Sequence, residues 1–414
     1  MLVQFNVCNF LSIKEMQSLR MRREDGTGSD CAFIYGPNSS GKSNLIKAID
    51  FSRNLIIGKD DVDYLPYCNL DNEYDESPTY FEYIIEINKR RYSYGFEVDL
   101  FKRRDSYGYV RGRRRRRGYM SIMSEWLYDI TGNKEKVLID YDREKPLEVR
   151  ITNGNGLSLD GLVGAEDVYD WFKNKLLVRL SEPEIECTPV PSDFLEYLNR
   201  TLPKLDTGIT EIVAEPFINT DIPRNLLKKQ WRFMSDDCQL VMVNGNSKKR
   251  SWLMFGDGIG TSKLFSEIRF RHGSKHLARI EEESLGTRRI IQLLALMASQ
   301  RTMDNKGTIV VDEVECSVHA LIMAKIVEKI KSEEFKGTQL IFTTHESRLL
   351  SEEYSDLEDI WFMDSEKEGK DKHSRLYSLK SFDGTIKKFD VMYLDGRFSA
   401  MPRFTPIHLE GGDE

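Results

Sequence analysis

Apolar and polar positions along this chain follow three different rhythms. Residues 79–100 alternate with period two (Tyr80, Glu82, Ile84, Glu86, then Tyr92, Tyr94, Phe96, Val98), and Asn88-Lys-Arg reads as the hairpin turn between two strands. Residues 2–10 and 13–21 read as an edge hairpin with Asn9 and Ser12 near its bend, and Trp126–Ile130, Val137–Tyr141 and Leu147–Ile151 predict further strands. Leu45, Ile46, Ile49, Leu55 and Ile56 recur at helical spacing and predict a helix to about Ile57. Helical spacing returns over 165–203 (Val168, Trp171, Phe172, Leu176, Leu177, then Phe194, Leu195, Leu198, Leu202), over 284–299 and over 318–333. Cys31–Tyr35, Thr308–Asp312 and Gln339–Thr343 are short runs rich in apolar residues, the mark of strands buried on both faces. Such strands alternating with helices predict the α/β class, with a largely parallel sheet covered on both sides. Residues 58–77 read as an acidic, polar loop, and 210–280 are not resolved by pattern.

Composition narrows this picture without naming a function. With 414 residues, the chain is long enough for two compact units or one large unit with an insertion. Hydrophobic residues make up 40% and charged residues 31%, and the net charge is −7, so bulk charge does not advertise nucleic-acid binding. No apolar run approaches the roughly 20 residues that span a bilayer, and the start of the chain lacks the pattern of a signal peptide. Six scattered cysteines form no Cys-x-x-Cys pair and suggest neither a disulfide framework nor a zinc site, which fits a cytoplasmic protein with reduced thiols.

Candidate chemistry begins at Gly36-Pro37-Asn38-Ser39-Ser40-Gly41-Lys42-Ser43, followed by Asn44. Glycines permit backbone conformations and approaches that a Cβ blocks. Successive backbone N–H groups and the following helix start make an anion site, with Lys42 for the β- and γ-phosphates of ATP and Ser43 for Mg²⁺. The apolar strand before the loop and the amphipathic helix after it are the context this motif requires. Asp312 and Glu313 close a β-favouring run. The first is suited to hold Mg²⁺ and the second to polarise a water, since phosphoryl transfer needs positioning and charge neutralisation. His345 ends the next such strand, where it can donate a hydrogen bond to a γ-phosphate; His319 reads as a helix-start or interface residue. Ser284 is a good N-cap for the helix that follows it, and Gly286 allows close approach.

The order of these motifs resembles the ABC-type ATPases of the SMC and RecF-like group. They are the glycine loop at 36–43, Glu-Ser-Leu-Gly-Thr at 283–287, Asp-Glu-Val-Glu at 312–315 and Thr-Thr-His at 343–345. Within that group the chain is most similar to the AAA-type proteins of bacterial abortive-infection and antiphage systems, relatives of the OLD-family ATPases. Phe5-x-Val-x-Asn9-Phe-x-Ser-Ile13, Asp206-Thr-Gly-Ile209 and Tyr393-Leu-x-Gly-Arg397-Phe also match. The resemblance covers 1–57 and 280–400 and implies a P-loop NTPase head with a mixed sheet, an N-terminal antiparallel β subdomain and an inserted helical subdomain. It implies a head-to-head homodimer around ATP. Gly36, Pro37, Asn38, Ser39, Ser40, Gly41, Lys42, Ser43 and Asn44 bind nucleotide, Ser284 and Gly286 complete the second copy's site, and Lys42, Glu313 and His345 do the chemistry. Ser-Leu-Gly-Thr stands where Ser-Gly-Gly-Gln is common, which implies slow turnover.

The expected division is an N-terminal ATPase lobe over 1–160, an inserted, largely helical or mixed subdomain over 161–280, a C-terminal ATPase lobe over 281–400 and a tail over 401–414. Long heptads of SMC arms are missing between the loop and Ser284, and only 69 residues follow His345 (414 − 345), too few for the Toprim nuclease of OLD proteins. The expectation is therefore a defence ATPase that senses or regulates, with any nuclease or toxin activity on a separate effector. The alternatives are a RecF-like DNA-repair ATPase and an ATP-locked scaffold. Between Lys102 and Arg117 stand nine basic residues and one acid, including Arg111, Arg113, Arg114, Arg115, Arg116 and Arg117. That run fits a nucleic-acid contact with Tyr107, Tyr109 and Tyr119 as stacking partners, a solvated hairpin tip, or a dock for an acidic partner.

Overall fold

The structure, a computed structural model, describes residues 1–23, 26, 28–58, 77–101, 107–110, 113–116, 119–132, 135–150, 157, 159, 162–181, 188–216, 238–244, 251–257, 264–273, 276–301, 307–368, 371–382, 388–398 and 400. Of the segments singled out above, 59–76, Arg111, Arg117, Ile151 and the tail 401–414 lie outside the described residues.

A six-stranded sheet divides the molecule. Its order is β10 (Leu176–Arg179), β17 (Thr308–Val311), β18 (Gln339–Thr343), β3 (Cys31–Tyr35), β19 (Ile360–Glu368) and β20 (Asp371–Ser378). The first five pair in parallel, and β20 returns antiparallel to β19. Successive side chains on a strand point to opposite faces, so each apolar run feeds two cores. Cys31, Phe33, Tyr35, Ile309, Val311, Leu340 and Phe342 enter one core; Ala32, Ile34, Val310 and Ile341 enter the other.

The second core is closed by an antiparallel sheet of β1 (Leu2–Cys8), β2 (Gln17–Arg20), β4 (Thr79–Ile87), β5 (Arg90–Phe101), β8 (Tyr119–Asp129) and β9 (Lys136–Arg150), with α1 (Lys42–Ile56) contributing its buried Leu45, Ile46 and Ile49. The β4–β5 turn falls at Asn88-Lys89, both in the left-handed region (φ 51° and 66°), the backbone a tight hairpin of this twist requires. Thr79, Phe81, Tyr83, Ile85 and Ile87 form the buried face of β4, so Ile84 faces the other way. The other core is closed by α3 (Phe194–Thr201), α4 (Leu285–Arg301), α5 (Ala320–Ile330) and a second antiparallel sheet. That sheet is ordered β11 (Thr188–Pro189), β13 (Gln239–Asn244), β14 (Ser251–Asp257), β15 (Leu264–Arg271) and β12 (Glu211–Pro216), with β16 (Leu277–Ala278) beside β15. Of the arginine run, Arg113–Arg116 form β7, paired antiparallel with β6 (Tyr107–Val110).

Three expectations change. Leu176 and Leu177 are not helical: α2 (Glu166–Asp170) ends in a π-turn over Trp171–Lys175, and the chain then enters β10, where the two leucines face opposite cores, as only a strand allows. β9 is one strand where the pattern suggests two, and register shifts against β8 absorb the polar stretch between them. The 161–280 stretch is mixed, with more sheet than helix among its described residues, because its strands cover the apolar face of α4 and the central sheet.

One buried amide joins the first antiparallel sheet to the centre. Gln339 Nε2 donates to Leu2 O (2.9 Å) and Ser29 O (3.1 Å), while its Oε1 accepts from Leu2 N (2.6 Å) and Thr308 Oγ1 (2.9 Å). Gln339→Leu leaves these groups buried without partners, so a loss of about 3 kcal/mol of unfolding free energy is expected in urea denaturation. A loss below about 1 kcal/mol would mean the amide is dispensable.

Candidate functional site

The glycine loop leaves the C-terminal end of β3 and enters α1. Gly36 passes so near β19 that a Cβ there would stand 2.1 Å from Met363 O. Gly41 has φ 104°, and its Cβ would meet Ser374 Oγ at 2.0 Å, so no L side chain is accommodated at either position. Ser39 is also left-handed (φ 63°). Helix α1 starts at Lys42 with no side-chain cap; Asn44 and Leu45 N–H donate to Gly41 O (2.9 and 3.1 Å), which leaves the N–H groups of Lys42 and Ser43 to the loop mouth. The Lys42 ammonium is buried and donates to Gly36 O (2.8 Å) and Pro37 O (3.0 Å). Burial lowers its pKa to about 8, against the opposing pull of Asp312, Glu315 and Glu313. Ser40 Oγ is buried and has no hydrogen-bond partner among the described residues. A ring of N–H donors, a desolvated ammonium and an unsatisfied hydroxyl suit a polyphosphate.

The acidic pair stands at the C-terminal end of β17, two strands from the loop in the same sheet. Asp312 is buried; its Oδ1 accepts from Thr343 Oγ1 (2.6 Å) and from Ser43 Oγ (3.2 Å). Ser43 and Asp312, 269 residues apart, thus present two oxygens to one point, a hard-donor pair that fits Mg²⁺ completed by phosphate and water. Glu313 follows with φ 47°, a strained backbone for a non-glycine residue that turns its side chain out of the strand direction. Its N–H donates to Thr343 Oγ1 (2.7 Å) and its carbonyl accepts from Arg289 Nη2 (2.9 Å).

His345 follows β18. Its backbone N–H donates to Glu315 Oε1 (2.5 Å). Desolvation, then the Lys42 ammonium, lowers the imidazole pKa below its ordinary value, against Glu315, Glu313 and Asp312. His345, Gly36, Pro37 and Asn38 line a cavity of about 240 Å³ with Tyr393 and Leu394 of α6 (Phe389–Leu394). His319 is the N-cap of α5, its Nδ1 accepting from Leu321 N (3.2 Å).

The structure therefore brings Lys42, Ser43, Asp312, Glu313 and His345 around one cleft. Asn44 is turned aside: its Nδ2 donates to Ser12 Oγ (2.7 Å), which meets Ser374 Oγ (2.6 Å). Ser284 and Gly286 stand apart from the loop, with no hydrogen bond to it among the described residues. Ser284 Oγ accepts from Thr287 N (3.0 Å), Leu285 is 53% exposed, and Gly286 lies against the Ser317 carbonyl. Pattern reading missed Thr343, Glu315, Arg289 and Tyr393. Thr343 and Glu315 stand inside motifs that were recognised, Tyr393 inside the late Tyr-Leu-x-Gly-Arg-Phe match. Arg289 had one signal, a cation just before the largely apolar stretch Ile290–Met297 of a helix buried on nearly every side.

Residues 31–161 and 193–351 match the family described as "AAA domain, putative AbiEii toxin, Type IV TA system". No curated protein matches the sequence. Among solved structures, the chain is similar to an SMC head bound to the C-winged helix domain of ScpA (16% identity, 95% of this chain, 99% of that one, TM-score 0.45). It is similar to the SMC head domain from Thermotoga maritima (16% identity, 91% and 98% covered, TM-score 0.38). It is also similar to an SMC head with an extended coiled coil bound to the C-terminal domain of ScpA, derived from Pyrococcus furiosus (12% identity, 96% and 99% covered, TM-score 0.43).

Proposed function

The chain belongs to the AAA domain family whose description names the AbiEii toxin and a type IV TA system, and on that premise we propose that it is a cytoplasmic, ATP-hydrolysing, Mg²⁺-dependent ABC-type ATPase. One observation carries the reading: the hydroxyl after the loop lysine meets the first of two strand-end carboxylates, Ser43 Oγ to Asp312 Oδ1 at 3.2 Å.

In this proposal, backbone N–H groups of the loop, from Asn38 to Ser43, hold the phosphates and Lys42 moves from the Gly36 and Pro37 carbonyls to the β- and γ-oxygens. Ser43 and Asp312 hold Mg²⁺, which neutralises phosphate charge when bound. Glu313 accepts a proton from the attacking water as its oxygen bonds to phosphorus and the bond to the ADP oxygen breaks. His345, held by Glu315, donates to the γ-phosphate. Ser284 and Gly286 make no hydrogen bond to the loop of their own chain among the described residues, and the helix start, exposed at Ser284 and Leu285 with Gly286 buried behind them, would face the nucleotide of a second copy. The proposed units remain 1–160, 161–280, 281–400 and the tail 401–414. We further propose a role in antiphage defence, controlling a separate effector; the geometry does not carry this part, and its support is that the family description names a toxin and a type IV TA system. As a second reading, the run of five arginines at 113–117 in the sequence would contact nucleic acid phosphates directly.

Phosphate release with Mg²⁺-ATP tests the paired-chain reading. Turnover per chain is expected to rise with protein concentration until dimers saturate, and to vanish in EDTA. Measurable turnover independent of protein concentration would overturn it.

A further inference from the structure

Arg289 lies in the first turns of α4, is 0% exposed, and makes no ion pair among the described residues. Its guanidinium donates instead to neutral acceptors. Nη2 bridges the carbonyls of Asp312 and Glu313 (2.9 Å to the latter), and Nη1 reaches Gln292 Oε1 (2.7 Å) and Leu180 O (3.3 Å). A buried cation is costly to desolvate, so its placement on two adjacent carbonyls has to be held by what it does there. Those carbonyls belong to the two acids of the cleft, and the second sits in the left-handed backbone at φ 47°. Thr343 Oγ1 takes the Glu313 N–H and Arg289 takes its carbonyl, so the peptide groups on both sides of the strained residue are fixed.

Helix α4 touches the same segment a second time. A Cβ on Gly286 would meet Ser317 O at 2.2 Å, so the first turn of α4 cannot approach this loop further without moving it. Ser284 and Leu285, at the same end of the helix, are exposed. Hence the first turns of the helix carry an exposed tip, a contact on Ser317 and a hold on both the Asp312 and Glu313 carbonyls.

We propose that Arg289 is a positioning residue that couples the exposed start of α4 to the orientation of Glu313 in its own chain. The inference rests on the ATPase reading above for its kinetic consequence. Engagement of Ser284 and Leu285 by a second copy is thereby transmitted to the acid that receives the water proton, and the two nucleotide sites of a pair are linked through one arginine on each chain.

Arg289→Lys keeps the charge but has one nitrogen in place of two, so it cannot hold the Asp312 and Glu313 carbonyls while also anchoring on Gln292 Oε1 and Leu180 O. Its kcat is expected to fall about 10²-fold while Kd for ATP stays within about threefold, because a displaced catalytic group loses rate and not binding. The Hill coefficient for ATP falls to about one, since coupling between sites is lost. Amide exchange at Glu313 and Val314, read by mass spectrometry, rises about tenfold or more while exchange within α4 is unchanged. Arg289→Gln is the second variant, with the same expectation and a larger loss. Turnover within about threefold of the parent in folded Arg289→Lys, or unchanged exchange at Glu313 and Val314, would overturn the proposal. A parent protein without ATP turnover would refute the ATPase reading alone, and the exchange measurement would still decide the role of Arg289.

Discussion

Glu313→Gln is expected to lower ATP turnover by about 10²–10⁴-fold while leaving ATP affinity within about threefold. The two side chains have the same shape, and the contacts that hold residue 313 are made by its backbone, through Thr343 Oγ1 and Arg289 Nη2. Those contacts survive the substitution, as do the Ser43 and Thr343 bonds to Asp312. What disappears is a carboxylate able to take a proton from water. Phosphate release under saturating Mg²⁺-ATP reads the rate, and equilibrium titration reads the affinity. Residual turnover within about tenfold of the parent would mean that another group accepts the proton.

Lys42→Ala has the largest expected effect on binding. The ammonium is desolvated, held by two loop carbonyls, and aimed along the loop. A charge-assisted bond of this kind contributes about 1.5–3 kcal/mol, so losing one strong bond to a phosphate oxygen weakens ATP binding by about 10²-fold. The pH dependence has a definite sign. Burial lowers the Lys42 pKa to about 8, so the nucleotide-free protein carries a largely neutral amine above that pH. A bound polyanion favours the ammonium, and binding above about pH 8 must therefore take up a proton. Affinity is expected to be flat below this range and to fall as pH rises through it. The alanine variant should lack that slope.

Much of the cleft was legible because its parts are local. A strand, a glycine loop and a helix start are consecutive, and Asp312-Glu313 and His345 each follow a short apolar strand. What pattern could not supply was the contact order of the strands that align these pieces. Thr343, 31 residues from Asp312, shares its carboxylate only because β17 and β18 are neighbours in register. Arg289 was hidden for a different reason. A cation on a helix reads as a solvated face, and its burial becomes tolerable only through acceptors distant in sequence, the Asp312 and Glu313 carbonyls and Leu180 O, together with Gln292 on its own helix. Leu176 and Leu177 misled because two adjacent apolar residues satisfy a helix stripe and a strand buried on both faces equally well. The sheet of β11–β15 escaped because its apolar positions answer to α4 and the central sheet, elements distant in sequence.

The central claim is that residues 36–43 hold the phosphates of ATP. Equilibrium titration of a fluorescent ATP analogue with Mg²⁺ onto the parent chain and Lys42→Ala, both checked for folding by circular dichroism, tests it most directly. Saturable binding to the parent and binding about 10²-fold weaker to the variant are expected. Equal affinities for the two proteins would contradict it.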